Sequence, residues 1–340
     1  MKKLSFILVF CFFAVVVSAD VVGLWNFDGD LTADIGLDME YYEPDAGDPA
    51  ATNWHTPGDP DNRCTFGKCL DLGAPKIAGS NEDILFVGPL QRGTTEGMGL
   101  KLFPNIATPT DGGSRVNDYT LIMDIAVHWV GDYGYASIMQ TNPISGQEDQ
   151  SPVEGEVIAN NDGDWYYRDY DYNIWSEDAG VMGEYGCYLA GGYAPGDLVL
   201  DEWHRVGLLY DVVLDGGTTP SGRMQVYIDG VKAQPDPYYT WYQGRIGEYY
   251  YGEFDKYGDP FLDGRLSLPT SGDTYPYVLM FMENDSSSGT GRYTGMYYVN
   301  SMILLDEVLD PWQMAAGGAP QAGGIDPGDV PVELLEFTAE

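Results

Sequence analysis

The chain has 340 residues, with 53 Asp and Glu against 16 Lys and Arg and a formal net charge of -37 at pH 7. A field of that sign repels nucleic acid and anionic membranes and favours cations, whether metal ions or basic partners, so DNA and RNA binding are excluded. Aromatic residues make up 14% of the sequence and Tyr alone numbers 26, which supplies apolar surface for a core and argues against the disorder that acidity by itself would suggest.

Lys2 and Lys3 precede an apolar run from Leu4 to Val17, which ends at Val17-Ser18-Ala19 before Asp20. This is the pattern of a cleavable secretory signal. Residues 1–19 are therefore expected to be removed, Asp20 to open the mature protein, and the product to be extracellular or held at the cell surface. The run is too short to span a bilayer and no other segment approaches the roughly 20 apolar residues a transmembrane helix needs, so no membrane insertion is expected. Phe10 stands before Cys11 where a lipid-attachment site would need a small residue.

Beyond the signal, helical periodicity is absent and several runs alternate with period two between clusters of Gly, Asp, Asn and Pro, the mark of an all-β domain. Val21 to Phe27 reads as the first strand. Cys64 and Cys69 flank Thr-Phe-Gly-Lys, a separation that suits a disulfide clip in an oxidising compartment and leaves Cys187 as the odd thiol, free to pair elsewhere. Tyr119 to Val130 is the clearest strand, with Leu121, Met123, Ile125, Val127 and Trp129 on one face and His128 on the other. Trp203 to Val213 and Met224 to Ile228 follow. Asp229-Gly230 then predicts a two-residue hairpin turn, since both positions need positive φ, and Val231 and Lys232 begin the return. Tyr277 to Met282 and Tyr297 to Leu305 complete the strands, and Asp306 to Ala316 is the candidate for a short helical or turn-rich closing segment.

Three long insertions, near residues 38–64, 141–195 and 233–265, are rich in Asp, Gly, Pro and aromatics, and insertions of that length in compact domains are functional or disordered. After Gly317 the composition turns to Gly, Ala and Pro, so residues 319–331 read as a linker. Residues 332–340 read as the start of a further C-terminal segment. The domain proper is thus expected over 20–318, as a module attached or delivered to a larger surface assembly.

Four pieces, in order, resemble the laminin-G-like, concanavalin A-like jelly-roll domains of exported bacterial proteins: Gly23-Leu24-Trp25-Asn26-Phe27-Asp28-Gly29; Phe66-Gly67-Lys68-Cys69-Leu70-Asp71-Leu72; Trp203-His204-Arg205-Val206 leading to Val226-Tyr227-Ile228-Asp229-Gly230; and Leu305-Asp306-Glu307-Val308-Leu309. The resemblance implies a concanavalin A-like jelly-roll sandwich of two antiparallel sheets with loops gathered at one rim, and the strand alternation agrees, since one apolar face per strand is what a two-sheet sandwich requires. Trp25, Trp129 and Trp203 are then expected in the core, and His204 and Arg205 as structural polar contacts.

The resemblance also implies a binding module, often for glycans and often with calcium at the loop rim. Calcium takes six to eight hard oxygens from a flexible loop, and Asn160, Asp162, Asp164, Asp169 and Asp171 are the candidate ligands, with Glu283-Asn284-Asp285 a second set; solvated acidic turns are the alternative. The spacing is not that of an EF-hand, since Trp165 stands where that loop needs Gly. Trp165, Tyr166, Tyr167, Tyr170, Trp175, Tyr239 and Trp241 are candidates to stack on sugar rings beside these carboxylates, the alternative being that they form the internal core of their insertions. Glu154 with Glu156, and Asp169 with Asp171, have the i, i+2 spacing a retaining glycosidase could use, but both pairs lie in loop-like sequence without a third acid. His55, His128 and His204 have no neighbouring nucleophile pattern. The expected function is a non-catalytic, exported module that binds a carbohydrate or an extracellular protein ligand, with no catalytic residues; a structural or adhesive surface protein, and then a glycosidase, are the alternatives.

Overall fold

The computed structural model describes residues 20–42, 64–88, 99–106, 115–116, 118–129, 135–141, 155–160, 199–214, 220–232, 266–269, 276–281 and 296–330. These form two antiparallel sheets packed face to face, as the alternation predicts. The larger sheet runs β12 (Val231–Lys232), β11 (Pro220–Ile228), β10 (His204–Leu214), β7 (Tyr119–Trp129), β15 (Met296–Leu305), β4 (Asp83–Val87) and β3 (Cys64–Lys68), with β1 (Val21–Trp25) also paired to β15. The smaller sheet runs β2 (Glu40–Tyr41), β5 (Leu100–Leu102), β14 (Val278–Met280), β8 (Tyr135–Thr141) and β9 (Gly155–Asn160); β6 (Arg115–Val116) and β13 (Leu266–Ser267) make a separate two-stranded ribbon.

The inward faces meet in one apolar core. Leu121, Met123, Ile125 and Val127 from β7 and Val206, Leu208 and Tyr210 from β10 face Leu100, Leu102, Ile138, Val278 and Met280 from the smaller sheet. Full burial of each such aliphatic side chain is worth about 1.5–3 kcal/mol against exposure. Trp25 belongs here, 1% exposed, with Nε1 donating to the Leu37 carbonyl at 3.0 Å. Trp203 does not: it is half-buried on the outer face of the larger sheet, where Nε1 donates to the Pro75 carbonyl at 2.7 Å.

That outer face is covered as well, and β15 shows the consequence, since all ten of its residues are buried. Its inward residues are Tyr297 and Val299, then Met302 and Leu304. The phase slips because the register with β7 shifts between Val299 and Ser301, a β-bulge in which one extra residue re-aims the rest of the strand. The bulge brings polar atoms into the buried layer, where two of them find partners and the Asn300 Oδ1 does not: Asn300 Nδ2 donates to the Asp83 carbonyl at 2.9 Å, and Ser301 Oγ accepts from the Ile325 amide at 2.9 Å.

Two covers lie on this face. Residues 69–80 pack Cys69, Ala74 and Ile77 against Ile84, Ala126 and Tyr298. The short helix α1 (Pro311–Gly317) and the chain beyond it pack Met314, Ile325 and Val330 against Ile122, Leu209, Tyr227 and Ile303. The Gly, Ala and Pro-rich stretch expected to be a linker is thus anchored at least to Val330, because two apolar residues within it find a sheet surface to bury. Residues 331–340, including the strand-like tail, lie outside the described residues.

Between the two covers sits a buried ion pair. Arg205 on β10 reaches Asp124 on β7 in a fork, Nε to Oδ1 at 2.7 Å and Nη2 to Oδ2 at 2.8 Å, and Nη1 donates to the Gly317 carbonyl at the end of α1 at 2.8 Å. Burial pushes the Asp124 carboxyl up, opposed by hydrogen bonds and charge from Arg205. The predicted Asp229-Gly230 turn has φ of 51° and 77°, both positive as such a hairpin requires, and it locks onto the same strand. Asp229 accepts from the Arg205 amide at 2.9 Å and from His204 Nδ1 at 2.8 Å, while His204 Nε2 accepts from the Val199 amide at 3.0 Å. His204 therefore carries its proton on Nδ1. Both residues are structural polar contacts, as expected.

The expected Cys64–Cys69 disulfide is not formed; both thiols are free and buried. The residues between them are an extended strand, so the two cysteines lie roughly 15 Å apart along it, well beyond the Cα separation of about 4.4–6.8 Å that a disulfide spans. They also face opposite ways, Cys64 into the inter-sheet core and Cys69 under the outer cover. Burial pushes the Cys64 thiol far up from its ordinary value, which makes it inert. Protein denatured without reductant should therefore take up iodoacetamide at both Cys64 and Cys69, and the native protein at neither; mass spectrometry that finds them oxidised together would contradict this arrangement. Arg205→Ala strands a buried carboxylate and should cost about 3–5 kcal/mol in denaturant unfolding. Arg205→Lys, which keeps the charge but not the fork, should cost less.

Candidate functional site

The two sheets leave an open side where edge strand β2 of the smaller sheet comes near edge strand β3 of the larger. A cleft of about 580 Å³ lies there, lined by Gly29, Asp30, Leu31, Met39, Glu40, Tyr41, Phe66 and Lys101. That volume falls within the range of about 300–1,000 Å³ in which small ligands are held. Its floor is apolar: Leu31 and Met39 are buried in the inter-sheet core, and Tyr41 and Phe66 are partly buried against it. Its charged groups are Asp30 and Glu40, both exposed, and the partly covered Lys101.

Local structure explains how each side chain arrives. Glu40 and Tyr41 are set by pairing of β2 with Lys101 and Leu100 of β5, and Phe66 by pairing of β3 with Leu85 of β4. Asp30 comes from the turn after β1. The chain leaves that strand through Phe27 at φ 50°, a conformation costing on the order of 1–3 kcal/mol for a non-glycine residue and offset by burying its ring to 1% exposure. The loop is then stitched to itself. Thr32 N donates to Asp30 Oδ1 at 2.8 Å, Ala33 N to Asp38 Oδ1 at 2.9 Å, Met39 N to the Leu31 carbonyl at 3.0 Å, and Asn26 Nδ2 to Asp34 Oδ2 at 2.6 Å.

The electrostatics follow from these bonds. Hydrogen bonds from the Thr32 backbone and then its side chain hold the Asp30 carboxyl below the usual range, so it is ionised at neutral pH. Burial, with smaller contributions from Cys64 and Asp30, pushes the Tyr41 phenol up, so it stays neutral. Lys101 Nζ lies 3.9 Å from Glu40 Oε2 and 5.3 Å from the centre of the Tyr277 ring. The cleft can therefore stack an apolar ligand face on Tyr41 and Phe66 while carboxylates, a phenol and an ammonium meet polar edges.

A second polar group lies on the outer face of the larger sheet. His128 Nδ1 bonds Asp201 Oδ1 at 2.5 Å, and its ring packs at 5.7 Å on Tyr298. Burial first, then the Asp201 charge, pushes the Tyr298 phenol up, and its hydroxyl donates to the Leu72 carbonyl at 3.2 Å. The pair fastens the turn at Asp201, whose φ is 60°, to β7. No nucleophile joins it among the described contacts, and His128 is a residue of the sheet surface, as its place on β7 predicts.

The aromatic candidates Trp165, Tyr166, Tyr167, Tyr170, Trp175, Tyr239 and Trp241 lie outside the described residues, as do Asp162, Asp164, Asp169 and Asp171, Glu154, Glu283-Asn284-Asp285, His55 and Cys187. Asn160 closes β9 with its backbone paired to Tyr135, and Glu156 pairs with Gln140. Among the described residues no three His, Cys, Asp or Glu converge as metal ligands, and no helix is long and apolar enough to cross a membrane. Sequence reading did not single out Asp30, Glu40, Tyr41, Phe66 and Lys101 as a site. The one available signal was that Glu40 and Tyr41 open the first long insertion.

No family model matches the chain, and no curated protein matches it. Solved structures do resemble it at low level. An alginate lyase is 12% identical over 67% of this chain and 82% of that one, with a TM-score of 0.33. The marine PL-14 alginate lyase from Aplysia kurodai is 11% identical over 72% and 87%, also with a TM-score of 0.33. The receptor binding domain of botulinum neurotoxin type G is 8% identical over 87% of this chain but 50% of that one, with a TM-score of 0.37, so the chain spans about half its length. At this level the likeness does not bear on function, and the sandwich rests on the chain's own strand order.

Proposed function

We propose that this chain is an exported, non-catalytic β-sandwich that binds a glycan in the cleft between β2, β3 and β5. The observation that carries this reading is the cleft's lining: two half-buried rings, Tyr41 and Phe66, over a floor of Leu31 and Met39, with Asp30, Glu40 and Lys101 around them. A pyranose ring has one face of C–H groups and an edge of hydroxyls. The rings and floor suit the face; the carboxylates and ammonium suit the edge. The secretory signal read at residues 1–19 supports a place outside the cell, where such ligands are met.

The reading is tested on protein beginning at Asp20, with immobilised neutral and charged oligosaccharides. Tyr41→Ala should weaken binding about tenfold, equivalent to about 1.4 kcal/mol, with the unfolding temperature measured alongside to separate loss of contact from loss of fold. Binding that Tyr41→Ala leaves intact would place the ligand elsewhere, and an absence of glycan binding would favour a structural or adhesive role. Release of reducing ends from the same oligosaccharides, with no unsaturated sugar among the products, would make the protein a glycosidase.

A further inference from the structure

We propose that the cleft selects an amine-bearing sugar, a 2-amino-2-deoxy unit carried as an ammonium, over its N-acetylated counterpart and over uronic acids. This deepens, and rests on, the assignment of the cleft as the glycan site. Its charged groups do not balance. Asp30 is held ionised by the Thr32 amide and hydroxyl, and a carboxylate has about four acceptor positions, so capacity remains for a ligand donor. Glu40 is a second carboxylate with its side chain 64% exposed. Against these two stands Lys101, already opposite Glu40 and over the Tyr277 ring, with its side chain 20% exposed. Tyr41 adds no charge because burial first, and nearby charges second, hold its phenol protonated.

The local sign matches the whole molecule, in which acidic residues outnumber basic ones 53 to 16. An ammonium entering the cleft meets a favourable field at both ranges, and a uronate an unfavourable one. Tyr41 and Phe66 add a second attraction, because a cation near an aromatic face is favoured by the ring quadrupole.

The experiment is isothermal titration of protein beginning at Asp20 with three tetrasaccharides, one of glucosamine, one of N-acetylglucosamine and one of glucuronate, at about 50 mM and about 500 mM salt. The glucosamine form should bind about tenfold or more tighter than the acetylated form at low salt. That ratio should shrink at high salt, where the screening length falls to several ångströms, and glucuronate should bind weakest. Asp30→Asn and Glu40→Gln should each cut the ratio about threefold or more. Glu202→Gln, at an exposed carboxylate far in sequence from every residue of the cleft and beside Asp201 on the outer face of the larger sheet, should leave it unchanged. Equal or tighter binding of the acetylated or glucuronate form, with sensitivity to Tyr41→Ala, would overturn the charge selection and leave the cleft as glycan site. Glucosamine binding indifferent to Asp30→Asn and Glu40→Gln would mean attraction by the acidic surface at large and would also overturn it. Indifference of all three sugars to Tyr41→Ala would overturn the site itself.

Discussion

The arrangement of this molecule turns on a charge pair taken out of water, Asp124 and Arg205 on the outer face of the larger sheet. Two ions in that position are tolerable when their geometry is good and their remaining hydrogen bonds are filled. The fork between the two side chains supplies the first condition. The Gly317 carbonyl supplies the second, and in doing so fixes where the end of α1 must lie. Neighbouring bonds repeat the pattern: Asp229 grips the Arg205 amide and His204, and Thr120 Oγ1 both donates to the Glu307 carbonyl and accepts from the Leu309 amide. The turn after β11, the helix and the chain leading into it are thereby held on one surface.

This surface has a consequence for binding. With residues 69–80 on one part of the outer face and α1 with residues 320–330 on another, the larger sheet is buried on both sides around β7 and β15. A sandwich covered in this way offers ligands its ends and its open sides. The cleft occupies one such side, where β2 and β3 are edge strands and the core residues Leu31 and Met39 come up to the opening. An apolar floor beside charged groups is what remains when two sheet edges approach without pairing.

Much of the fold was legible in the residues. Leu121, Met123, Ile125 and Val127 face one way because side chains alternate in any strand, and that alternation survives in the structure. Asp229-Gly230 could be read as a hairpin because its backbone geometry is local. The cysteines show where such reading ends: their separation suited a clip if the chain turned between them, and it runs straight because β3 pairs with β4 along its whole length. Ile325 and Val330 sat in a composition typical of linkers, and nothing in that composition tells that a bare sheet face waits for them. The site was legible still less. Asp30, Tyr41, Phe66 and Lys101 come from four separate stretches of chain and share no spacing.

The sequence by itself determined an all-β chain with a large excess of acidic residues, and strands whose inward residues could be named, because period, charge and local turn geometry are properties of neighbouring residues. Only the tertiary structure decided that Cys64 and Cys69 face opposite ways, that Asn300 forms a bulge which re-phases β15, that Asp124 and Arg205 meet across two strands, and that a cleft opens beside Tyr41. Each of these depends on which strand lies beside which, and pairing over such distances is settled by what the whole sheet can bury, not by any stretch of chain alone.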